Sequence, residues 1–167
     1  MADMAIRMEK VRAIESHGNW HVMLKEPSDQ QVAEIAQRPD VVAAQRYDGL
    51  NFDLSQDYSI QGKTCVIVGA DDQILTKIYD DLTEGSCPSN EGEILLSNRS
   101  KDLLHVKVGD QIALHTPSGE YLYTISGFGG DVTISDDANV VGAFLSWDAF
   151  QSLAKAEGYT PAPVCFV

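Results

Sequence analysis

Apolar and polar positions alternate through "NWHVML", residues 19–24, and this period of two predicts a strand just after Gly18. The period then changes. In "EPSDQQVAEIAQRPD" the residues Val32, Ile35 and Ala36 share one helical face. Ser28 stands where an N-cap is needed, and Gln31, three residues on, completes a capping box. Pro39 ends this helix, because it lacks an N–H and its ring disfavours helical geometry at Arg38. "VVAAQRYDGLNFDL" follows as strand material, expected to bend around Asp48 and Gly49, and completes a β-α-β unit.

The middle of the chain has a different texture. "TCVIVGA" is a continuous apolar run, the mark of a strand covered on both faces. "DDQILTKIYDDLTEG" places Ile74, Ile78 and Leu82 in line and predicts a helix closed by Gly85. "GSCPSNEG" is a loop, "EILLS" a strand, and "NRSKDLLH" a short helix with Ser97 as its cap. "QIALHT" and "EYLYTISGF" alternate on either side of Pro117-Ser118-Gly119 and predict a hairpin. The end repeats the beginning. "VVGAFLSW" is a strand, "SWDAFQSLAKAEG" a helix capped by Ser146 and closed by Gly158, and "APVCFV" a strand. The expected class is α+β, with β-α-β units from both chain ends pairing in one sheet and a strand-rich insert between them.

Composition narrows the function classes. The 167 residues carry 25 acidic and 12 basic side chains, a formal charge of −13 spread along the chain. Phosphate backbones repel such a surface, so no nucleic-acid partner is expected. Cys65, Cys87 and Cys165 are an odd set without a C-x-x-C, which gives no disulfide framework. No apolar run reaches the length of a membrane span. Met4, Met8, Val11 and Ile14 recur at helical spacing between charged residues, which fits either a helix packed on its own domain or a stalk continuing an upstream helix.

Candidate chemistry is sparse. "QGKT" at 61–64 lacks the earlier glycine of a phosphate-binding loop, which would fall at Asp57, and a strand rather than a helix follows Lys63. "GFGG" at 127–130 opens no helix, so its glycines are read as a bend or a close backbone approach. His17, His21, His105 and His115 have no zinc-type spacing. Asp131, Asp136 and Asp137 lack the ligand pattern of a calcium loop. Ser86 and Cys87 have no base nearby in sequence, and Cys65 reads as a buried small hydrophobe. Trp20, Phe144, Trp147 and Phe150 fall at core spacing. No catalytic residue, cofactor site or metal site is assigned.

One stretch carries a resemblance. In "GEILLSNRSKDLLHVKVGDQIALHTPSGEYLYTISGFGGD" the residues Gly92, Glu93, Ile94, Leu96, Val108, Gly109, Asp110, Ile112, Tyr123 and Gly127 form a strand, short helix, V-G-D turn and hairpin in a set order. This order resembles the extracytoplasmic domain of FtsX/MacB-type ABC transporter permeases, and the segments after Gly18 and from Val140 resemble its flanking parts. The resemblance implies two lobes: a porter-like lobe from residues 18–60 and 138–167, and an inserted β-rich lobe from 61–137. It implies that residues 1–17 are a stalk leading out of a membrane helix of a bacterial cell membrane, with the domain on the extracytoplasmic side. By the same resemblance the partners are a cytoplasmic ATP-binding subunit, a second permease copy or half, and an extracytoplasmic substrate that the sequence does not name. The domain would relay motion and would not be an enzyme. Joints near Gln61–Gly62 and Gly129–Gly130 are expected to allow lobe motion. A small β-barrel enzyme with a site built from distant residues, and a freestanding binding module with an acidic docking surface, are the alternatives.

Overall fold

The computed structural model describes residues 19–130 and 139–167. The expected stalk at 1–17 and the acidic loop of Asp131, Asp136 and Asp137 lie outside the described residues. In chain order the elements are β1 (Met23–Lys25), α1 (Asp29–Ala36), β2 (Gln45–Leu50), β3 (Ser59–Ile60) and β4 (Lys63–Ala70). A π-helical turn (Ile74–Ile78), β5 (Leu82–Gly85), β6 (Glu93–Leu96), α2 (Asn98–Leu104), β7 (Gln111–Thr116) and β8 (Gly119–Gly129) follow. The chain then forms β9 (Val141–Ser146), α3 (Trp147–Ala156) and β10 (Val164–Phe166). The class is α+β.

Among the described residues all ten strands belong to one sheet, and β4 is its branch point. On one side β4 pairs with β2 through Ile67–Ala70 and with β3 through Lys63 and Thr64; on the other it lies parallel to β9 from Cys65 to Ala70. The strands β4, β3, β7, β8, β6 and β9 pair in sequence and return to β4, closing a ring. From β4 an arm runs outward through β2 and β10 to β1, each pair antiparallel. Strands from both chain ends therefore meet in one sheet, as the sequence predicts. β9 belongs to the ring, while β10 inserts between β1 and β2.

The apolar run of β4 explains the two larger cores. Because side chains alternate, Cys65 and Ile67 face one core and Val66 and Val68 the other, all fully buried. The first core takes Ile60, Leu96, Leu114, Ile125 and Ala143 from the other ring strands, so the ring is filled by side chains. Trp147, Phe150 and Leu153 of α3 join it, and Phe144 joins the second core. Trp20 is partly buried against Phe166, with ring centroids 5.4 Å apart. The expected core role of the four aromatics holds. A third, small cluster of Val32, Ala44 and Cys165 lies against α1.

Two expectations fail for identifiable reasons. Residues 71–85 form only the π-helical turn at Ile74–Ile78, not the helix expected to run to Gly85. Tyr79 N–H closes a π-turn on the Ile74 carbonyl at 3.0 Å, Asp80 takes a left-handed φ of 50°, and Leu82–Gly85 pairs with the glycine-rich end of β8. Strand pairing at a free edge outweighs a helical spacing of three apolar residues. The bend expected at Asp48-Gly49 also moves. Both residues lie in register with Gly69 and Val68, and the chain turns at Asn51, φ 65°. Asn51 is buried, donates to the Cys65 carbonyl at 2.9 Å and accepts from Gln56 N–H at 2.8 Å, which fixes that turn.

Candidate functional site

The residues weighed in the sequence are scattered. Gln61 and Gly62, at φ 50° and 76°, form the two-residue turn of the β3–β4 hairpin, and β4 starts at Lys63. A phosphate loop has no room there, and the turn is tied by pairing on both sides rather than loose. Gly127 and Gly129 lie inside β8 against β5, where a Cβ on either would collide with backbone carbonyls of Glu84, Ser86 and Asp81. This is the close approach read from "GFGG"; Gly129 is paired with Leu82, so it too is no slack joint. His105 ends α2 in a left-handed conformation, His21 lines a groove described below, and His115 Nε2 stands 3.1 Å from Asp57 Oδ2. Burial pushes the Cys65 and Cys165 thiols up, and Cys87 likewise, which disfavours a thiolate at each. Among the described residues all three cysteines are free, and no group of three or more His, Cys, Asp or Glu is placed to hold a metal.

One polar side chain that ties several elements together has no mark in the sequence pattern. Arg46, in β2, forms a bidentate pair with Asp71 at the end of β4, Nε to Oδ2 at 2.9 Å and Nη2 to Oδ1 at 2.8 Å. Its own backbone N–H also donates to Asp71 Oδ2 at 2.7 Å. Nη1 reaches Asp29 in the first turn of α1 at 3.0 Å, and the guanidinium lies 5.2 Å from the centroid of the Trp147 ring. The hydrogen bonds to Asp71 hold the guanidinium in its charged form, raising its pKa against the opposing effect of burial. One side chain thus ties α1, the arm, the end of β4 and the start of α3 together. Its partners Asp71 and Asp29 are 25 and 17 residues away, so no local spacing announces it. Beside it lies a cleft of about 430 Å³ whose walls include Asp72, Asn90, Glu91 and Asp148. Trp147, buried, also lines this cleft, and its Nε1 has no hydrogen-bond partner among the described residues.

A second groove, of about 490 Å³, lies where the two ends of the described chain meet. His21 and Val22 donate their N–H groups to the Val167 carbonyl at 2.7 and 3.1 Å, and Val167 N–H returns a bond to Val22 at 2.8 Å. The walls are apolar at and just before β1 (Leu24, Val22) and after α1 (Val41, Val42), with Lys77 at the π-turn.

These features position and join elements; they gather no nucleophile with a base. The same architecture occurs in solved structures. The periplasmic region of MacB from Actinobacillus actinomycetemcomitans superposes with a TM-score of 0.60 at 8% identity, over 95% of this chain and 78% of that one. A domain assigned to a permease protein from Porphyromonas gingivalis superposes with a TM-score of 0.55 at 12% identity, over 88% of this chain and 70% of that one. No sequence-family profile and no curated protein sequence matches the chain. The chain has the fold of the extracytoplasmic domains of MacB-type permeases, as the V-G-D stretch implies.

Proposed function

We propose that this chain is the extracytoplasmic domain of an ABC transporter permease in a bacterial cell membrane, and that it relays motion driven by a cytoplasmic ATP-binding subunit to an extracytoplasmic substrate or partner. The observation that carries this reading is the pairing of Val22 with Val167 at one end of the arm, in a chain with a permease-domain fold. A domain entered and left at one place can be driven by two adjacent stalks. Residues 1–17 are assigned to the first of these stalks. The division into a porter-like lobe (18–60 and 138–167) and an inserted lobe (61–137) belongs to the same proposal, with the ring, which takes β3 and β9 from the first lobe, as the place where the two join. A second permease copy or half would stand beside it. Relay work needs stiff bodies, and the filled ring and the Arg46 clasp supply that stiffness.

The test has two arms. The parent reading frame should carry an apolar stretch of roughly 20 residues before Met1 and further ones after Val167. A frame that ends at Val167 would remove the reading. In the full transporter, spin labels on the domain and on its neighbouring copy should change separation when the ATP-binding subunit is trapped with nucleotide; unchanged distances would refute the relay.

A further inference from the structure

The 490 Å³ groove has a packed floor and an open rim. Leu24, Ile35, Val41 and Val167 lie partly buried on the small cluster of Val32, Ala44 and Cys165. Val22 and Val42, by contrast, line the groove while 48% and 87% exposed. Elsewhere in the chain, Met4, Met8, Val11 and Ile14 form an apolar stripe at helical spacing. A helix of so few residues is marginal in water by itself and takes its stability from an apolar surface that it covers. The segment that carries the stripe joins the described fold at the groove. Asn19 is part of the groove wall, and its N–H donates to the carbonyl of Ile78, another wall residue. Ile14 is five residues before Asn19, a reach of at most ~18 Å, so the tether keeps the stripe beside this groove.

We propose that residues 4–14 dock in this groove as an amphipathic helix, with Met4, Met8 and Val11 against Val22 and Val42. Covering these two valines removes apolar surface from water, which favours docking, while Glu9 and Lys10 stay on the solvent side. The tether also decides between this segment and the same stripe on a second copy. A short linker holds its cargo at an effective concentration on the order of millimolar, well above that of a dilute partner. The groove needs no movement to receive the helix, because its floor is already in place. Docking makes residues 1–17 and the arm one body, so a displacement of the segment reaches β1 without passing through a slack linker. Only that consequence rests on the proposed relay; the docking itself does not.

The experiment uses the 167-residue chain alone. Hydrogen exchange should show the amides of 8–14 exchanging at least ~10-fold more slowly than an unstructured peptide. Val22→Asp with Val42→Asp puts two carboxylates in the groove and should return those amides to unprotected rates. In the reverse direction, Met8→Asp with Val11→Asp changes no described residue and should speed the amides of 41–43 by about two- to five-fold. Amides 150–154 of α3 should keep their protection in every variant, which shows that the fold is intact. Unprotected amides at 8–14 in the parent would overturn the docking, as would protection there that survives both carboxylates in the groove. Protection that is lost on dilution, together with a dimer in sedimentation, would give the groove to a second copy and overturn it too. No membrane or nucleotide is involved, so that failure leaves the transporter reading to its own test.

Discussion

A methyl group at Gly127 has nowhere to go. A Cβ there would sit 2.5 Å from the Glu84 carbonyl oxygen and 2.8 Å from that of Ser86, so Gly127→Ala must push β5 off β8. Gly109, φ 94°, has open space around it, and its substitution meets only backbone strain. Urea unfolding should place the first at about 1–3 kcal/mol and Gly109→Ala at about 1 kcal/mol. Equal costs would refute the close approach. Tyr123 gives a pH prediction. Burial holds its phenol protonated, pushed up to about 12, with Tyr121 and Glu91 adding to the shift. An unfolded tyrosine titrates near 10, so between about 10 and 12 the unfolded chain binds fewer protons and stability falls as pH rises. Below pH 10 that contribution is complete. Tyr123→Phe should flatten this alkaline decline, measured by denaturant midpoints from pH 9 to 12. The close approach at Gly127 was legible in "GFGG"; the hub at Arg46 was not, because a strand arginine looks the same whether it meets water or two distant aspartates.

At the scale of elements, three serines placed as caps behave in two ways. Ser28 and Ser146 do what their positions predict: Ser28 Oγ accepts from Gln31 N–H, and Ser146 Oγ from Ala149 N–H, both at 3.2 Å. Ser97 caps nothing with its side chain. Its hydroxyl lies 2.6 Å from Ser100 Oγ and accepts the Gly142 N–H at 3.1 Å, joining α2 to β9. Ser146→Ala should therefore cost about 1 kcal/mol, the ordinary worth of a cap. Ser97→Ala leaves a buried N–H without its acceptor and should cost more, about 1–3 kcal/mol. A larger loss for Ser146→Ala would contradict this assignment. Helix starts were readable because caps are local chemistry. The failure at 71–85 has the opposite cause: Thr83 and Glu84 become strand only because β8 offers an edge from some forty residues further on, with Thr83 Oγ1 donating to the Phe128 carbonyl at 2.9 Å.

For the whole molecule, the sequence conveyed that both chain ends share a sheet, since their patterns match. It did not convey that β9 returns to β4 and closes a ring, because a parallel pairing leaves no local signature. The clasp at Arg46 sits where arm, ring and both flanking helices converge, and its worth is measurable. Asp71 and Arg46 side chains are 18% and 23% exposed, so removing one partner strands the other in a partly dry site. Arg46→Met should cost about 3 kcal/mol. Arg46→Met combined with Asp71→Asn should cost less than the sum of the two single changes by at least ~1 kcal/mol. Additive costs would show that the pair does not act as a unit.

The branch at β4 decides how a pull on the arm is felt. One antiparallel ladder, with rungs from Tyr47–Ala70 to Leu50–Ile67, joins β2 to the ring, and the Arg46–Asp71 clasp closes one end of it. Tension along the strands loads these rungs simultaneously, as in shear, whereas tension across them opens the ladder one rung at a time, like a zipper. The same fold is therefore tough to traction in one direction and yielding in the other, and the angle of an applied load decides whether the ladder holds or unzips.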